Sequence, residues 1–120
     1  MTTDLPLREP DCPFCGIAAG DIPADVVAQD EHAVAFRDLS PQAPLHVLVI
    51  PRAHHIDVAS LATADPDGLV ALVRMGGRVA ADEAGGQFRL VFNSGRAAGQ
   101  SVDHVHGHVL GGRALTWPPG

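Results

Sequence analysis

The sequence has no tyrosine and no lysine, and it holds only two cysteines and one tryptophan among its 120 residues. Aromatic residues make up 4% of the chain, namely Phe14, Phe36, Phe88, Phe92 and Trp117, so Val, Leu, Ile and Ala must fill most of any core. The eight basic residues are all arginine and lie scattered. With no basic stripe and a net charge of −6, the chain lacks a nucleic-acid footprint. The longest apolar stretch, "HVLVIP" at residues 46–51, is far too short to cross a bilayer, and no secretory leader is recognisable. The expectation is a cytoplasmic protein without a membrane partner. In that reducing compartment a lone cysteine pair does not make a disulfide framework.

Hydrophobic residues reach 46% and no long polar block interrupts them, which describes a soluble globular chain of one domain. Residues 1–10 read as a lead-in and residues 11–120 as the domain. "CPFCGIAAGDIP" predicts a short helix after Pro13 that stops near Gly20. "DVVAQD" and "HAVAFRDL" predict two strands around the turn-prone Asp30–Glu31 pair. "LSPQAPL" is a proline-bearing loop, and "HVLVIP" a buried strand ending at Pro51. From Asp65 to about Gly85 the signals are helical: Asp65 as N-cap, Pro66 at the first position, then a stripe of Leu69, Leu72, Val73, Val79, Ala80 and Glu83 weakened by Gly76–Gly77. "QFRLVFN" alternates as a strand, "SGRAAGQS" is a loop, and "DHVHGHVLGG" is the last strand. The sum is an α+β domain around an antiparallel sheet of about five strands, with one long helix and a short N-terminal helix.

Three of the seven histidines, His104, His106 and His108, stand at every second position of that last strand. In a strand such spacing puts all three imidazoles on one face, with Val105, Gly107 and Val109 on the other. Two chemistries use such a row beside a turn, Gly99–Gln100–Ser101, that suits an anion. One is a catalytic metal site. The other is nucleophilic catalysis, in which one imidazole attacks phosphorus while its neighbours orient it and bind phosphate oxygens. Spacing alone does not separate them.

"QSVDHVHGHVLGGR…WPPG" resembles the signature of the histidine triad (HIT) superfamily, and the ending "LGGRALTWPPG" resembles its branch of small histidine triad nucleotide-binding proteins. "DCPFCGIAAGDIPADVV", "AFRDLSPQAPLHVLVIPRAHH" and "VFNSGRAAGQSV" follow the same pattern in order. The resemblance implies a HIT-fold homodimer that binds purine nucleoside monophosphates and hydrolyses phosphoramidates through a nucleotidylated histidine. It makes His106 the nucleophile, puts His108 on the phosphate, and gives His46 and His104 supporting parts. Asn93, Gly99 and Ser101 match phosphate-side and leaving-group-side positions, with Gln100 between them. Asp38 matches the ribose-binding carboxylate, although it also suits a loop cap before Ser40–Pro41. Ile22, Phe36, Leu39 and Leu48 match apolar positions around the base, and Trp117 a tail that reaches toward the partner's site. A dinucleoside polyphosphate hydrolase, a nucleotide-binding module with little turnover, and metal-dependent hydrolysis at the triad are the rival readings.

Cys12 and Cys15 form a C-x-x-C. No strand precedes it, which counts against a redox helix, and a structural zinc needs two more ligands. His54 and His104 complete a Cys2His2 set, with His55 the competing neighbour of His54 and a pair of free thiols the plain alternative. Two residues depart from the family pattern. Gly107 is expected to leave a gap on the far side of the strand. Asp103 is expected to raise a neighbouring histidine's pKa.

Overall fold

Aspartate side chains open two of the three helices. In the computed structural model, which describes residues 7–119, Asp57 Oδ1 accepts the Ser60 N–H at 2.8 Å and starts α2 (Val58–Ala64). Asp65 Oδ1 accepts the Gly68 N–H at 3.0 Å and starts α3 (Pro66–Glu83), with Pro66 at its first position. The first helix, α1 (Pro13–Ala19), is capped by sulfur: Cys12 Sγ accepts the Cys15 N–H at 3.3 Å, and Gly20 closes the helix at φ +82°. Thus α1 and α3 lie where the sequence predicts them, and α2 is an addition. Residues 1–6 and 120, part of the lead-in and the last residue of the tail, lie outside the described residues.

Five strands form one antiparallel sheet in the order β1-β2-β3-β5-β4. They are β1 (Val26–Gln29), β2 (Ala33–Arg37), β3 (Leu45–Pro51), β4 (Phe88–Phe92) and β5 (Gly107–Gly111), with a 3-10 turn at Arg96–Ala98 before β5. The tight β1–β2 connection is set by Asp30, whose Oδ1 accepts the N–H groups of His32 and Ala33 at 2.8 and 2.9 Å. β3 is buried along its whole length because both sheet faces are covered. Ala33, Ala35, Val47, Val49 and Val109 face one core with Leu72, Met75, Val79 and Ala80 of α3. Val34, Phe36, Leu48 and Ile50 face the other with Phe14 and Ala18 of α1. The period-2 alternation of strand side chains makes this division.

Gly76 is the point where α3 meets the sheet: a Cβ there would lie 3.1 Å from Val109 Cγ2. A residue read as a helix weakness is therefore a packing contact. The last strand is shorter than predicted, since the ladder begins at Gly107 and leaves His104 and His106 before it. The gap expected at Gly107 is absent. A Cβ there would lie 3.0 Å from both Leu90 Cδ1 and Phe92 Cζ, because the adjacent strand fills that space.

Candidate active site

A cavity of about 400 Å³ opens beside α1 on the sheet face that carries Phe36 and Leu48. Its apolar part is lined by Phe14, Ile17, Ile22, Phe36 and Leu48, and its polar part by Ser101, His106 and His108. Asp38 and Leu39 stand in the same lining. Leu39 is 100% exposed and Ile22 41% exposed, so apolar surface is left uncovered at the mouth.

Main-chain atoms set the protons of the imidazoles. The Gln42 N–H donates to His46 Nδ1 at 3.0 Å, so a neutral His46 carries its hydrogen on Nε2. That Nε2–H donates to His108 Nδ1 at 3.0 Å, which puts the His108 hydrogen on Nε2. His106 Nδ1 lies 2.8 Å from the carbonyl oxygen of His104, a pure acceptor, so in the neutral ring Nδ1 carries the hydrogen and Nε2 keeps the lone pair. Burial lowers the His46 pKa, although Asp38 Oδ2, 3.5 Å from its Nε2, opposes the shift. Burial, with the charges of His106 and His46, pushes His108 down to about 4. His46 and His108 are thus neutral near pH 7, and His108 offers a donor while His106 offers a nucleophile. Asp38, His46 and His108 also lie close enough to suggest a metal. The His46–His108 bond occupies the nitrogens that would ligate, so this group is a hydrogen-bond relay.

His104 stands apart from the cavity. Its ring is fully buried, and its Nε2–H donates to the Pro51 carbonyl at 2.9 Å, which turns the lone pair of Nδ1 toward the two cysteines. Nδ1 lies 3.4 Å from Cys12 Sγ and 3.5 Å from Cys15 Sγ, and His54 Nδ1 lies 3.4 Å from Cys15 Sγ. All four ligand atoms fall within 4.8 Å of one another. A tetrahedral zinc with bonds of about 2.0 Å to nitrogen and 2.3 Å to sulfur separates its ligands by about 3.3–3.8 Å, so the residues fit the ion. Burial pushes His104 down to about 4, which keeps it neutral, and raises the Cys15 thiol. His55 contributes only its carbonyl here, accepting the Val105 N–H at 2.8 Å.

Of the expected site residues, His106, His108, Ser101, Asp38, Ile22, Phe36, Leu39 and Leu48 line the cavity, and His46 backs His108. Asp38 also caps its loop, accepting the Ser40 N–H at 2.7 Å. The remaining expected residues stand outside the cavity lining. The side chain of His104 does not reach the cavity; its carbonyl acts instead, on His106. Gln100 is buried, and its amide serves the loops: Oε1 accepts the Gly95 N–H, while Nε2 donates to the carbonyls of Ile56 and Val102. The N–H groups of Gly99 and Gln100 bond to the Arg96 and Gly95 carbonyls, so the turn does not present them to an anion. Asn93 lies beside Gly99, 3.8 Å from the point a Cβ there would occupy, and is not part of the lining. Asp103 pairs with Arg96 at 3.1 Å and leaves His104 depressed rather than raised. Phe14 and Ile17 line the cavity without having been marked by the sequence, and Phe14 also meets the histidines. Its ring meets those of His106, His104 and Phe36 edge-on, with centroids at 5.0, 6.0 and 5.5 Å. Its place between Cys12 and Cys15 was the available signal.

Residues 19–115 match the sequence profile of the HIT domain. The chain is 44% identical over 108 residues to a HIT-like protein of Synechocystis, covering 89% of this chain and 95% of that one. It resembles the crystal structure of a HIT family hydrolase from Legionella pneumophila with a TM-score of 0.87 and 44% identity, covering 92% of this chain and 100% of that chain. A Zn-bound histidine triad family protein from Mycobacterium smegmatis matches with a TM-score of 0.74 and 34% identity over 86% of this chain and 76% of its own.

Proposed function

The chain belongs to the HIT domain family, and from that premise we propose that it is a purine nucleoside 5′-phosphoramidate hydrolase. The observation that carries this reading is the 2.8 Å contact from His106 Nδ1 to the His104 carbonyl, which leaves Nε2 as the bare nitrogen of a ring lining the cavity. Nε2 attacks the α-phosphorus. The P–N bond to the amine breaks as the P–N bond to His106 forms, and the amine leaves with its electron pair and takes up a proton. The Ser101 hydroxyl, in the same cavity lining, is the proposed donor. The His108 Nε2–H donates to a phosphoryl oxygen and strengthens as charge builds there. Water then attacks phosphorus and returns its proton to the Ser101 oxygen, the P–N bond to His106 breaks, and nucleoside monophosphate departs with Nε2 bare again.

In this reading the purine lies on the apolar part of the cavity, against Phe36, Leu48 and Ile22, and covers the exposed Leu39. Asp38 accepts from the ribose hydroxyls. A zinc ion held by Cys12, Cys15, His54 and His104 supplies a rigid cross-link behind the site. A cytoplasmic location belongs to the same proposal, because thiolate ligands persist in a reducing compartment. Among the described residues no helix is long and apolar enough to cross a membrane. A homodimer belongs to the same proposal; exposed Val70 and Val73 on α3 and Phe88 on the edge strand β4 offer it apolar surface.

The test compares turnover of adenosine and guanosine 5′-phosphoramidates with that of a diadenosine polyphosphate, with and without a chelator. Faster phosphoramidate turnover, lowered on chelation but not abolished in the folded protein, is expected. Preferred cleavage of the polyphosphate, or loss of chemistry on chelation without loss of fold, would replace this reading.

A further inference from the structure

The peptide unit between His104 and Val105 is bonded at both ends. Its carbonyl accepts from His106 Nδ1 at 2.8 Å, and its N–H donates to the His55 carbonyl at 2.8 Å. The first of its residues, His104, is one member of the Cys/His cluster, and His55 adjoins another, His54. The plane of this one amide therefore sets the ring of His106, and both of its attachments run back to the four-residue cluster. A second attachment comes through α1. Phe14 stands between Cys12 and Cys15 and presses edge-on against the His106 ring at 5.0 Å between centroids. His54 and His104 lie outside the cavity lining, so the cluster reaches the reacting atoms only through these intermediaries.

We infer that the Cys12–Cys15–His54–His104 cluster, when it holds a metal ion, acts as a positioning device for the nucleophile, with His104 the positioning residue that fixes the tautomer and ring orientation of His106. The inference rests on the reading of His106 as nucleophile. It goes beyond a structural cross-link, because a metal that only stabilises the fold leaves the His106 ring unchanged in a chain that stays folded without it. The mechanical reason is that a bound ion would tie His104 Nδ1 to the two thiolates, 3.4 and 3.5 Å away, while the Pro51 carbonyl holds Nε2 from the other side. Removing the ion frees the thiols and lets the His104 peptide rock, so the His106 Nδ1–H bond loses its fixed acceptor and both tautomers become populated.

Zinc content and the ¹⁵N signals of the His106 ring are read in the substrate-free protein, before and after metal removal with a chelator. The expected result is zinc bound stoichiometrically and a single His106 tautomer, protonated at Nδ1. After removal the signals move toward an average of two tautomers. In the same samples kcat falls by about tenfold with KM nearly constant, and added zinc restores both readings. Two results overturn the proposal: a chain that neither carries nor takes up zinc, or ring signals and kcat unmoved by metal removal while circular dichroism reports an intact fold. Should the stripped chain unfold, exchange of zinc for the larger cadmium ion in the folded protein replaces chelation. Displaced His106 signals then support the proposal and unmoved signals overturn it. The ring signals are read without substrate, so a protein that fails to hydrolyse phosphoramidates sinks the enzymatic reading and leaves this measurement decisive on its own.

Discussion

Replacing His106 with alanine removes the ring whose Nδ1–H rests on the His104 carbonyl and whose Nε2 is free. Phosphoramidate turnover is expected to fall by at least about 10³-fold, while binding of the nucleoside monophosphate, followed by calorimetry, stays within a few-fold of wild type. Near-normal turnover in this variant would show that the nucleophile lies elsewhere. The residue types of the site were legible from the alternating histidines and from the family likeness. The proton positions were not. They depend on the Gln42 N–H and on the carbonyls of Pro51 and His104, groups that every residue offers and that leave no mark in a sequence. The part played by Gln100 was equally hidden: its position in a turn beside the histidines says nothing of its side chain, which bonds three loop backbone groups.

The fit between β5 and its neighbour β4 governs what Gly107 tolerates. Leu90 and Phe92 occupy the space that a side chain at Gly107 would need, with contacts of 3.0 Å to a bare Cβ. Gly107→Val is therefore expected to lower stability by about 1–3 kcal/mol in urea unfolding, because Phe92 must leave its position. A variant as stable as wild type would mean that β4 shifts at no cost. Helix α3 could be read from the sequence because its cap and its proline agree, but of its expected stripe Val73 and Glu83 are exposed and Met75 is buried in their stead. Helix α2 could not, since its seven residues bury only Leu61 and leave no periodicity to detect. The start of β5 was placed too early because alternation looks the same before the ladder begins as within it. What holds residues 104–106 is instead the buried ring of His104 and the Val105 N–H bond to His55.

Across the whole molecule, the Cys/His cluster joins segments that are distant in the chain: Cys12 and His104 are separated by 92 positions, and Cys15 and His54 by 39. A cross-link of that span constrains α1, the segment after β3 and the segment before β5 together. Acid should reveal a second property of the fold. His108 and His46 have folded pKa values below the ordinary one of about 6.5, His108 at about 4. The unfolded chain therefore binds more protons in that window, so their contribution is complete above about pH 6.5 and is lost as pH falls toward about 4. Asp38, 3.5 Å from His46, moderates the loss. The urea midpoint should fall over this window, and His108→Gln should flatten the fall; identical profiles for variant and wild type would remove His108 from the account.

The most direct measurement mixes the protein with a nucleoside phosphoramidate, quenches the reaction within one turnover, and maps the adduct by mass spectrometry. A nucleotidyl group on the imidazole of His106, disappearing as monophosphate is released, is expected. Hydrolysis that proceeds with no adduct at His106, or with the adduct on another residue, would contradict His106 as the nucleophile.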